Sequence, residues 1–375
     1  MDPFLREARR RLPQTVELIR DLVECESPSG DAAALRRFND LLADRIGDLA
    51  IVRTFSGGHA RFEFNLPGRG KQGSILALGH SDTVWPMGTL RTMPFRRARG
   101  NLYGPGVFDM KSGLALFVTA ICILRDLDAP IRHHVVLQVN ADEETGSPSS
   151  RALTERAARE SLAVLVLEPA AGPDGKLKTA RKGVGSYTVA VRGVPTHAGL
   201  DFEKGASAIV EMARQIEKIA GFTRLGRGVT VNPGVIRGGS RSNVVAGECS
   251  VEVDVRAPRA ADTRYLDRCF NSLKAFDKRC SVQVEGGLNR PPLERSAGGR
   301  TLFGLAARLA REIGVELGEC AVGGASDGNF TAALGVPTLD GLGAVGEGAH
   351  APNESVAIGR LAERSALLAK LVASL

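Results

Sequence analysis

A repeated arrangement of short apolar runs constrains the fold of this 375-residue chain more than any other feature. Residues 74–78, 134–139 and 163–167 each have the length of a buried strand, and each run ends where polar residues begin. Helical patterns separate these runs, and the most apolar of them covers residues 114–127. Strands that alternate with helices predict an α/β fold with a largely parallel sheet and helices on both faces.

The first apolar run ends in a pair of side chains that suit metal chemistry. Residues 74–78 are followed by Gly79-His80-Ser81-Asp82, so an imidazole and a carboxylate come directly after a predicted strand. In open α/β sheets this edge is where sites are built. Because His80 and Asp82 are two residues apart, their side chains point the same way in an extended chain. The pair suits a metal-binding histidine whose neighbouring carboxylate orients it or acts as a second ligand.

The pattern changes after Gly183, which indicates a second module. Residues 187–192, 229–236, 249–255 and 281–285 read as strands, with helices predicted at about 204–220 and 262–276. The order β-α-β-β-α-β is that of a ferredoxin-like α+β module. Helical patterns of the first kind return at 302–313 and 358–372. We therefore predict a domain of residues 1–183 and 292–375 that is interrupted by an inserted module of residues 184–291.

Composition excludes several classes of function. The chain is 43% hydrophobic and 24% charged, as is usual for a globular protein. Its formal charge is +7, but only 5% of its residues are aromatic, so we predict a solvated basic face and no nucleic-acid partner. No continuous apolar run reaches the length of a membrane span, so no membrane partner is expected. Six scattered cysteines and no N-terminal signal pattern predict a cytoplasmic location.

Ligand-type side chains recur in five separate loops, four of them at or near predicted strand ends. They are His80 with Asp82, Asp109, Glu143 with Glu144, Glu168 and, near the C-terminus, His350. A mixed set of imidazoles and carboxylates suits zinc or a similar divalent ion. The acids are too many for one tetrahedral ion and fit two ions with one bridging carboxylate. Adjacent glutamates at a turn can have different roles, so that one binds metal and the other takes a proton from water.

Each of these residues also has a structural alternative when it is considered alone. Asp109 could be only a helix cap, Glu143–Glu144 only an exposed turn, and His350 only a loop histidine with a local partner. Their joint occurrence in separate strand-end loops favours the metal site. Three further histidines lie outside any acidic cluster in the sequence and are interpreted as structural, namely His59, His133 and His134.

Six segments together resemble the motifs of peptidase family M20, the co-catalytic zinc aminoacylase and carboxypeptidase family. They are G-H-S-D-T-V, G-P-G-V-F-D-M-K-S-G, A-D-E-E-T-G-S, L-E-P, G-x-x-T-H-A-G and G-A-H-A-P-N-E. Within the family the chain is similar to the glutamate carboxypeptidase branch. The resemblance implies a zinc-exopeptidase-like mixed sheet and an inserted module that serves as dimerisation and lid domain. One departure is Gly323-Gly324-Ala325-Ser326-Asp327, where the branch often has Gly-Gly-Gly-Thr-Asp.

The resemblance also implies roles for the ligand-type residues. It implies two Zn²⁺ per chain, with Co²⁺ or Mn²⁺ as possible substitutes. The implied ligands are His80 and Glu168 for one ion, Glu144 and His350 for the other, and Asp109 as the bridge. Asp82 would orient His80, and Glu143 would be the general base.

Four residues of the inserted module match family positions that act on the substrate. His197 would reach into the partner's site of a homodimer, although its plain alternative is an exposed loop histidine. Asn243 matches a substrate-contacting position. Arg256 and Arg290 match positions that hold a substrate carboxylate, for which the planar guanidinium fork is suited. The alternative for both arginines is an ordinary surface role.

These observations predict a hydrolase that cleaves the amide bond of an N-acyl amino acid or a small peptide with a free C-terminal carboxylate. A second hypothesis is a deacylase of the N-acetylornithine or N-succinyl-diaminopimelate type. A third, from another class, is a catalytically silent binding protein on the same fold. The complete ligand set and the presence of Glu143 argue against the third hypothesis.

Overall fold

A computed structural model describes all 375 residues, and the chain divides into two compact units. The first comprises Met1–Ala180, Arg295–Ala321 and Ser326–Leu375, and the second comprises Arg181–Glu294 with Val322–Ala325. The predicted insertion, 184–291, starts and ends within the second unit. Residues 322–325, which we expected in the first unit, cluster with the second because the Lys182 N–H donates to the Val322 carbonyl at 3.1 Å.

Ten helices and sixteen strands make up the chain. The helices are α1 Pro3–Arg10, α2 Leu12–Glu24, α3 Ala32–Ile46, α4 Ser112–Asp126, α5 Arg151–Arg159, α6 Ala208–Ala220, α7 Ala260–Asn271, α8 Ala297–Glu312, α9 Gly328–Ala333 and α10 Ile358–Ser374. The strands are β1 Ala50–Thr54, β2 Ala60–Phe64, β3 Ser74–His80, β4 Arg96–Ala98, β5 Asn101–Tyr103, β6 His134–Asn140, β7 Ser161–Val166, β8 Leu177–Arg181, β9 Gly183–Arg192, β10 Thr230–Gly238, β11 Glu248–Ala257, β12 Ser281–Arg290, β13 Glu319–Val322, β14 Thr338–Leu339, β15 Gly346–Glu347 and β16 Ser355–Ala357.

The first unit is built on a six-stranded mixed sheet with the order β1-β2-β6-β3-β7-β14. Strand β3 runs parallel to β6 and β7, β14 runs parallel to β7, and β1 and β2 are antiparallel additions. Alternate residues of β3 enter two different clusters: Ile75 packs with α4 residues, and Leu76 packs with α5 residues. Helices therefore cover both faces, and the predicted mixed α/β fold is confirmed.

The parallel strands bring their carboxyl ends to one edge of this sheet. In the register, His80 at the end of β3 is opposite Asn140 at the end of β6, and Leu78 is opposite Val166 at the end of β7. The loops that follow these strands therefore begin side by side, although the ends of β3, β6 and β7 are at residues 80, 140 and 166 of the sequence.

Helix α4 forms the centre of the first unit. The segment Val107–Asp126, which includes α4, is long and apolar enough by length and composition to cross a membrane, and 89% of its most apolar window is buried in the fold. Asp109 and Lys111 interrupt the segment, which is why no continuous run of that length stands in the sequence. Helices α1, α2 and α10 pack on α4. Its apolar character is therefore explained by its place in the core.

The second unit is a four-stranded antiparallel sheet with the order β10-β11-β9-β12. Its chain order β9-α6-β10-β11-α7-β12 and this strand order are those of the ferredoxin-like module that we predicted. The core includes Tyr187 and Phe270, whose rings stack with centroids 3.8 Å apart. Helix α6 begins at Ala208, later than the predicted position near 204, because the Ser207 hydroxyl caps it by accepting the Val210 N–H.

Candidate metal centre

Five ligand-type side chains form two groups that share Asp109. The groups are His80, Asp109 and Glu168, and Asp109, Glu144 and His350; within each group the donor atoms lie within 4.8 Å of one another. His80 Nε2 lies 3.2 Å from Asp109 Oδ1, and His350 Nε2 lies 3.5 Å from Asp109 Oδ2. Each oxygen of Asp109 thus faces a different imidazole. We call these groups the His80 triad and the His350 triad.

The remaining carboxylate of each triad completes the arrangement. His80 Nε2 lies 3.6 Å from Glu168 Oε1, and His350 Nε2 lies 3.2 Å from Glu144 Oε1. His80 ends β3, and Glu168 follows β7 by two residues. Glu144 lies in a helical turn, Glu143–Thr145, directly after β6. The carboxyl edge of the parallel strands therefore supplies three of the five side chains.

Asp109 and His350 come from irregular backbone near that edge. Asp109 lies in the turn Val107–Lys111 before α4, where its φ of −115° and ψ of 96° are not helical and the next residue, Met110, departs from helical geometry as well. It caps no helix, because the residue before α4 is Lys111, which lies in the helical region, and no side chain caps that end. His350 has φ 62°, a left-handed conformation that costs energy for a residue other than glycine.

Asp82 connects the histidine to the glutamate turn. His80 Nδ1 lies 2.9 Å from the Asp82 carbonyl oxygen, so Nδ1 carries the proton and Nε2 faces the triad. The Asp82 carboxylate accepts the backbone N–H groups of Glu143 and Glu144, each at 3.1 Å. Its Oδ1 is also 3.4 Å from His80 Nδ1. Asp82 therefore holds two of the candidate loops as well as facing the imidazole.

The pKa values of the triad residues show how strongly these charges depend on one another. Hydrogen bonds to Asp109 and Glu144 raise the pKa of His350 to about 10. Burial lowers the pKa of His80, but its contacts with Asp109, Asp82 and Glu168 outweigh this effect and raise the pKa well above its usual value. Burial raises the pKa of Asp109, and the two imidazoles reverse that effect, so its pKa is lowered. Burial raises the pKa of Glu144.

The donor set fits two divalent cations. Three carboxylates that face two imidazoles leave a negative charge even when both imidazoles are protonated. Two divalent ions would replace the imidazole protons and offset the carboxylate charges. Nitrogen and oxygen ligands in two groups with one shared carboxylate suit zinc or a similar ion. The His350 side chain is 48% exposed, so the second group is open to solvent on one side, as a catalytic site requires.

Glu143 lies outside both triads. It is buried, and it stands next to Glu144 in the same helical turn. The two adjacent glutamates therefore have different surroundings. Glu144 faces His350, whereas Glu143 belongs to neither triad.

The four predicted residues of the second unit form two pairs. The Ala198 N–H donates to the Asn243 carbonyl at 3.0 Å, so the loops of His197 and Asn243 are adjacent, and both residues are exposed. Arg256 and Arg290 are both in register with Val184 of β9, one on each side. Because directly paired residues share a face of the sheet, both arginines lie on the same face as Val184.

The surroundings of the two arginines differ. The Arg256 guanidinium donates two hydrogen bonds to Asp254, at 2.8 and 2.9 Å, and is half-buried. Arg290 is 7% exposed. A substrate carboxylate would have to compete with Asp254 for Arg256.

His59, which we interpreted from the sequence as lying outside any acidic cluster, is placed beside one by the structure. Its Nδ1 accepts the Ala141 N–H at 3.1 Å, and its Nε2 lies 3.0 Å from Ser149 Oγ. The Ser149 hydroxyl donates to Asp142 at 2.7 Å. The cause is strand pairing: Ala60 of β2 is opposite Val139 of β6, which brings His59 to the start of the glutamate loop. Burial lowers its pKa, so the ring is neutral.

Two further residues near the site were not identified from the sequence. The Asp327 carboxylate accepts the Asn140 side-chain N–H at 2.6 Å and the Ser147 hydroxyl, which ties both ends of the glutamate loop. Glu354 is buried beside the turn that carries Asp109. Glu354 stands four residues after His350 within one motif, which was an available signal, whereas Asp327 had none beyond its glycine-rich segment.

Sequence comparison agrees with this geometry. A profile of Peptidase family M20/M25/M40 matches residues 76–374. The chain is similar to carboxypeptidase G2 of Pseudomonas sp. (strain RS-16), with 28% identity over 375 residues, 97% of this chain and 89% of that protein. It is also similar to acetylornithine deacetylase of Proteus mirabilis (strain HI4320), with 29% identity over 269 residues, 66% of this chain and 67% of that protein.

Solved structures share the fold. Aminopeptidase PepT from Bacillus cereus ATCC 10987 superposes with a TM-score of 0.81 at 23% identity, over 96% of this chain and 98% of that one. The YXEP protein of Bacillus subtilis, a dinuclear metal-binding peptidase, superposes with a TM-score of 0.70 at 13% identity, over 98% of each chain.

Proposed function

Because the chain belongs to Peptidase family M20/M25/M40 and is a metallo-hydrolase of amide bonds, we propose a narrower activity for it. It hydrolyses the amide bond of N-acyl amino acids or small peptides that end in a free carboxylate, and it uses two Zn²⁺ per chain. The observation that carries the proposal is the pair of triads that share Asp109. The similarity to carboxypeptidase G2 supports the carboxylate-bearing substrate.

The chain's own residues supply positioning and proton transfer. Divalent ions in the two triads would supply Lewis-acid chemistry, polarising a carbonyl group and making a water molecule more acidic. Glu143 takes a proton from the attacking water at its carboxylate and passes it to the leaving amine nitrogen. Asp82 holds the backbone of the Glu143–Glu144 turn, so that the base and the ligand are fixed relative to each other.

The second unit supplies substrate recognition. Arg256, Arg290 or both bind the substrate carboxylate, because a guanidinium offers two parallel donors to that group. His197 and Asn243, on adjacent loops, donate hydrogen bonds to the carbonyl oxygen of the scissile amide. Two observations support these roles. The loops of His197 and Asn243 are adjacent, and Arg256 and Arg290 are both in register with Val184.

We further propose that the protein is a homodimer through this unit and that His197 acts in the partner's site. Ile209 and Val210 on α6 are exposed, and so are Val235 and Ile236 on β10. Strand β10 is an edge of its sheet. An apolar edge strand and helix are expected to be covered in solution, and a second copy of the same unit supplies a complementary edge.

A deacylase of the N-acetylornithine type is the second candidate, favoured by the similarity to acetylornithine deacetylase over two thirds of the chain. It uses the same triads and the same base and differs in the side chain of the amino acid released.

The test is hydrolysis by zinc-loaded protein of three matched compounds: an N-acyl glutamate, its C-terminal amide and N-acetylornithine. The free acid is expected to react roughly 10- to 100-fold faster than the amide, the value of a charge-assisted hydrogen-bonded pair. Arg290→Lys keeps the positive charge but loses the planar guanidinium group with its two parallel donors. The ratio of the hydrolysis rates of acid and amide should therefore fall in this variant. Equal rates on acid and amide would contradict the carboxylate requirement. Preference for N-acetylornithine would favour the second candidate, and no turnover of any of the three compounds would contradict both candidates.

A further inference from the structure

Glu354 is the buried centre of a hydrogen-bond network with four donors. Its side chain is fully buried, at 0% exposure. Oε2 accepts the indole N–H of Trp85 at 2.8 Å and the backbone N–H of Gly106 at 2.9 Å. Oε1 accepts the backbone N–H groups of Phe108 at 2.8 Å and Asp109 at 3.0 Å. Both oxygens of the carboxylate are therefore saturated by N–H donors.

These contacts join three loops that carry candidate metal ligands. Trp85 follows His80 by five residues, and Glu354 follows His350 by four residues. The third loop is the irregular turn of Asp109, whose own backbone N–H is one of the donors. One carboxylate therefore links the loops of His80, Asp109 and His350.

From this network we infer that Glu354 is the positioning residue of the metal centre: it fixes the backbone of Asp109 so that its two oxygens face both imidazoles. The inference rests on the proposed two-metal function. Asp109 is the one side chain that both triads share, so its orientation sets the geometry of both. The turn that carries it departs from helical geometry at Asp109 and Met110. Glu354, and not a helix ladder, accepts the N–H groups of Phe108 and Asp109 in this turn and that of Gly106 directly before it.

The chemistry of the contacts requires a carboxylate at this position. Two N–H groups point at each oxygen, and all four donors need an acceptor. A glutamine has nearly the same shape, but it presents one oxygen and one NH₂ group, so two donors would face another donor. Glu354→Gln therefore removes the positioning interaction with little change in volume.

The network also contains a natural optical probe. Trp85 is the only tryptophan of the chain, and its indole N–H is bonded to Glu354. Ions bound in the triads would be held by loops that Glu354 links to this indole, so ion binding would alter the surroundings of the indole. Its fluorescence should therefore follow metal loading without an added label.

The experiment compares metal binding by wild type, Glu354→Gln and the control Glu347→Gln after removal of metal with a chelator. Glu347 is an exposed glutamate in the same segment, so the control makes the same chemical change outside the network. Zn²⁺ is titrated by calorimetry, Co²⁺ by its visible absorption, and Trp85 emission is recorded in both titrations. We expect Glu354→Gln to bind the ions about 10- to 100-fold more weakly, with an altered Co²⁺ spectrum, because partners that orient ligands have effects of that size. The control should match wild type.

Several outcomes decide the matter. Wild-type affinity, an unchanged Co²⁺ spectrum and a normal Trp85 response in Glu354→Gln would overturn the inference and leave the proposed function intact. Failure of wild type to bind two ions would overturn the proposed function and this inference with it. If Glu354→Gln does not fold, Trp85→Phe removes one donor and keeps the carboxylate. That variant should bind Co²⁺ more weakly with a shifted spectrum, and an unchanged spectrum and affinity would overturn the inference.

Discussion

Glu143 and Glu144 are neighbours in sequence but have different surroundings. Glu144 faces His350 at 3.2 Å, whereas Glu143 stands outside both triads. We predict that Glu143→Gln keeps both ions and loses about 10²- to 10⁴-fold in turnover, the contribution of a positioned acid–base group. Glu144→Gln, the same change one residue along, should lose metal as well. Metal analysis and kcat on an N-acyl amino acid measure both. Loss of metal from Glu143→Gln alone would reverse the two roles.

His59 provides a pH-dependent prediction at the same scale. Burial lowers its pKa, so the folded protein resists a proton that the unfolded chain accepts below about pH 6.5. Stability should therefore fall as the pH is lowered through that value. His59→Asn keeps an acceptor near the Nδ1 position for the Ala141 N–H but cannot titrate.

The variant should be less stable than wild type at pH 7.5, by about 1–3 kcal/mol for the lost contact with Ser149, and the difference should narrow at pH 5.5. Urea unfolding at the two pH values measures it. A difference that stays constant or widens on acidification would show that His59 is not held neutral.

Individual residues could be predicted from the sequence where the chemistry is carried by short motifs. His80 and Asp82 lie two residues apart in one motif. In the structure, His80 Nδ1 contacts the Asp82 carbonyl oxygen, and the Asp82 carboxylate accepts the N–H of Glu143. His59 and Asp327 could not be predicted in this way. Their contacts with Ala141 and Asn140 depend on pairing between segments about eighty and nearly two hundred residues apart.

Among the elements, α4 approaches the backbone next to the site closely. A Cβ on Gly113 would lie 2.1 Å from the Leu167 carbonyl oxygen, next to Glu168. Gly113→Ala should therefore destabilise the fold by about 1–3 kcal/mol through overpacking, although alanine favours helices. It should also weaken metal binding, because β7 and its following ligand would have to shift.

Gly304 in α8 is the matched control for this substitution. It is an exposed helical glycine with no atom within 4 Å of the added Cβ. Gly304→Ala should stabilise the protein by about 0.4–1 kcal/mol. Thermal unfolding and zinc titration of both variants measure the contrast. Equal effects of the two substitutions would show that α4 does not approach β7 as closely as described.

The long elements were predictable because their periodicity is strong. Strand β3 and helix α4 are almost wholly buried, so their apolar runs are continuous and unambiguous. The small sheet β15-β16-β5-β4 was missed, since its strands have only two or three residues. Such short strands leave no periodic pattern and are defined by pairing with distant segments.

At the scale of the whole molecule, the two units have separate hydrophobic cores. The core of the second unit contains buried residues from 187 to 280 with partly buried neighbours up to 284, and none from the first unit. A change of pattern along the chain was therefore the basis for predicting an inserted module. The boundary at 322–325 could not be foreseen, because it depends on backbone hydrogen bonds such as that from Lys182 to Val322.

The last prediction tests the proposed dimer. If His197 acts across a twofold interface, each site combines Glu143 of one chain with His197 of the other. His197→Ala and Glu143→Gln homodimers should then both be nearly inactive. A heterodimer of the two variants has one site with both groups intact and one with neither.

Random mixing of equal amounts gives half heterodimers, so about a quarter of wild-type activity should return. The measurement is turnover of an N-acyl amino acid after the chains have been mixed under exchange conditions, with the heterodimer verified by differently tagged subunits. Two samples of His197→Ala mixed with each other are the control and should stay inactive. Recovery requires a dimer with His197 acting in trans, because a residue acting in cis would leave every heterodimer site defective. No recovery in verified heterodimers would therefore place His197 in its own chain's site or outside the reaction.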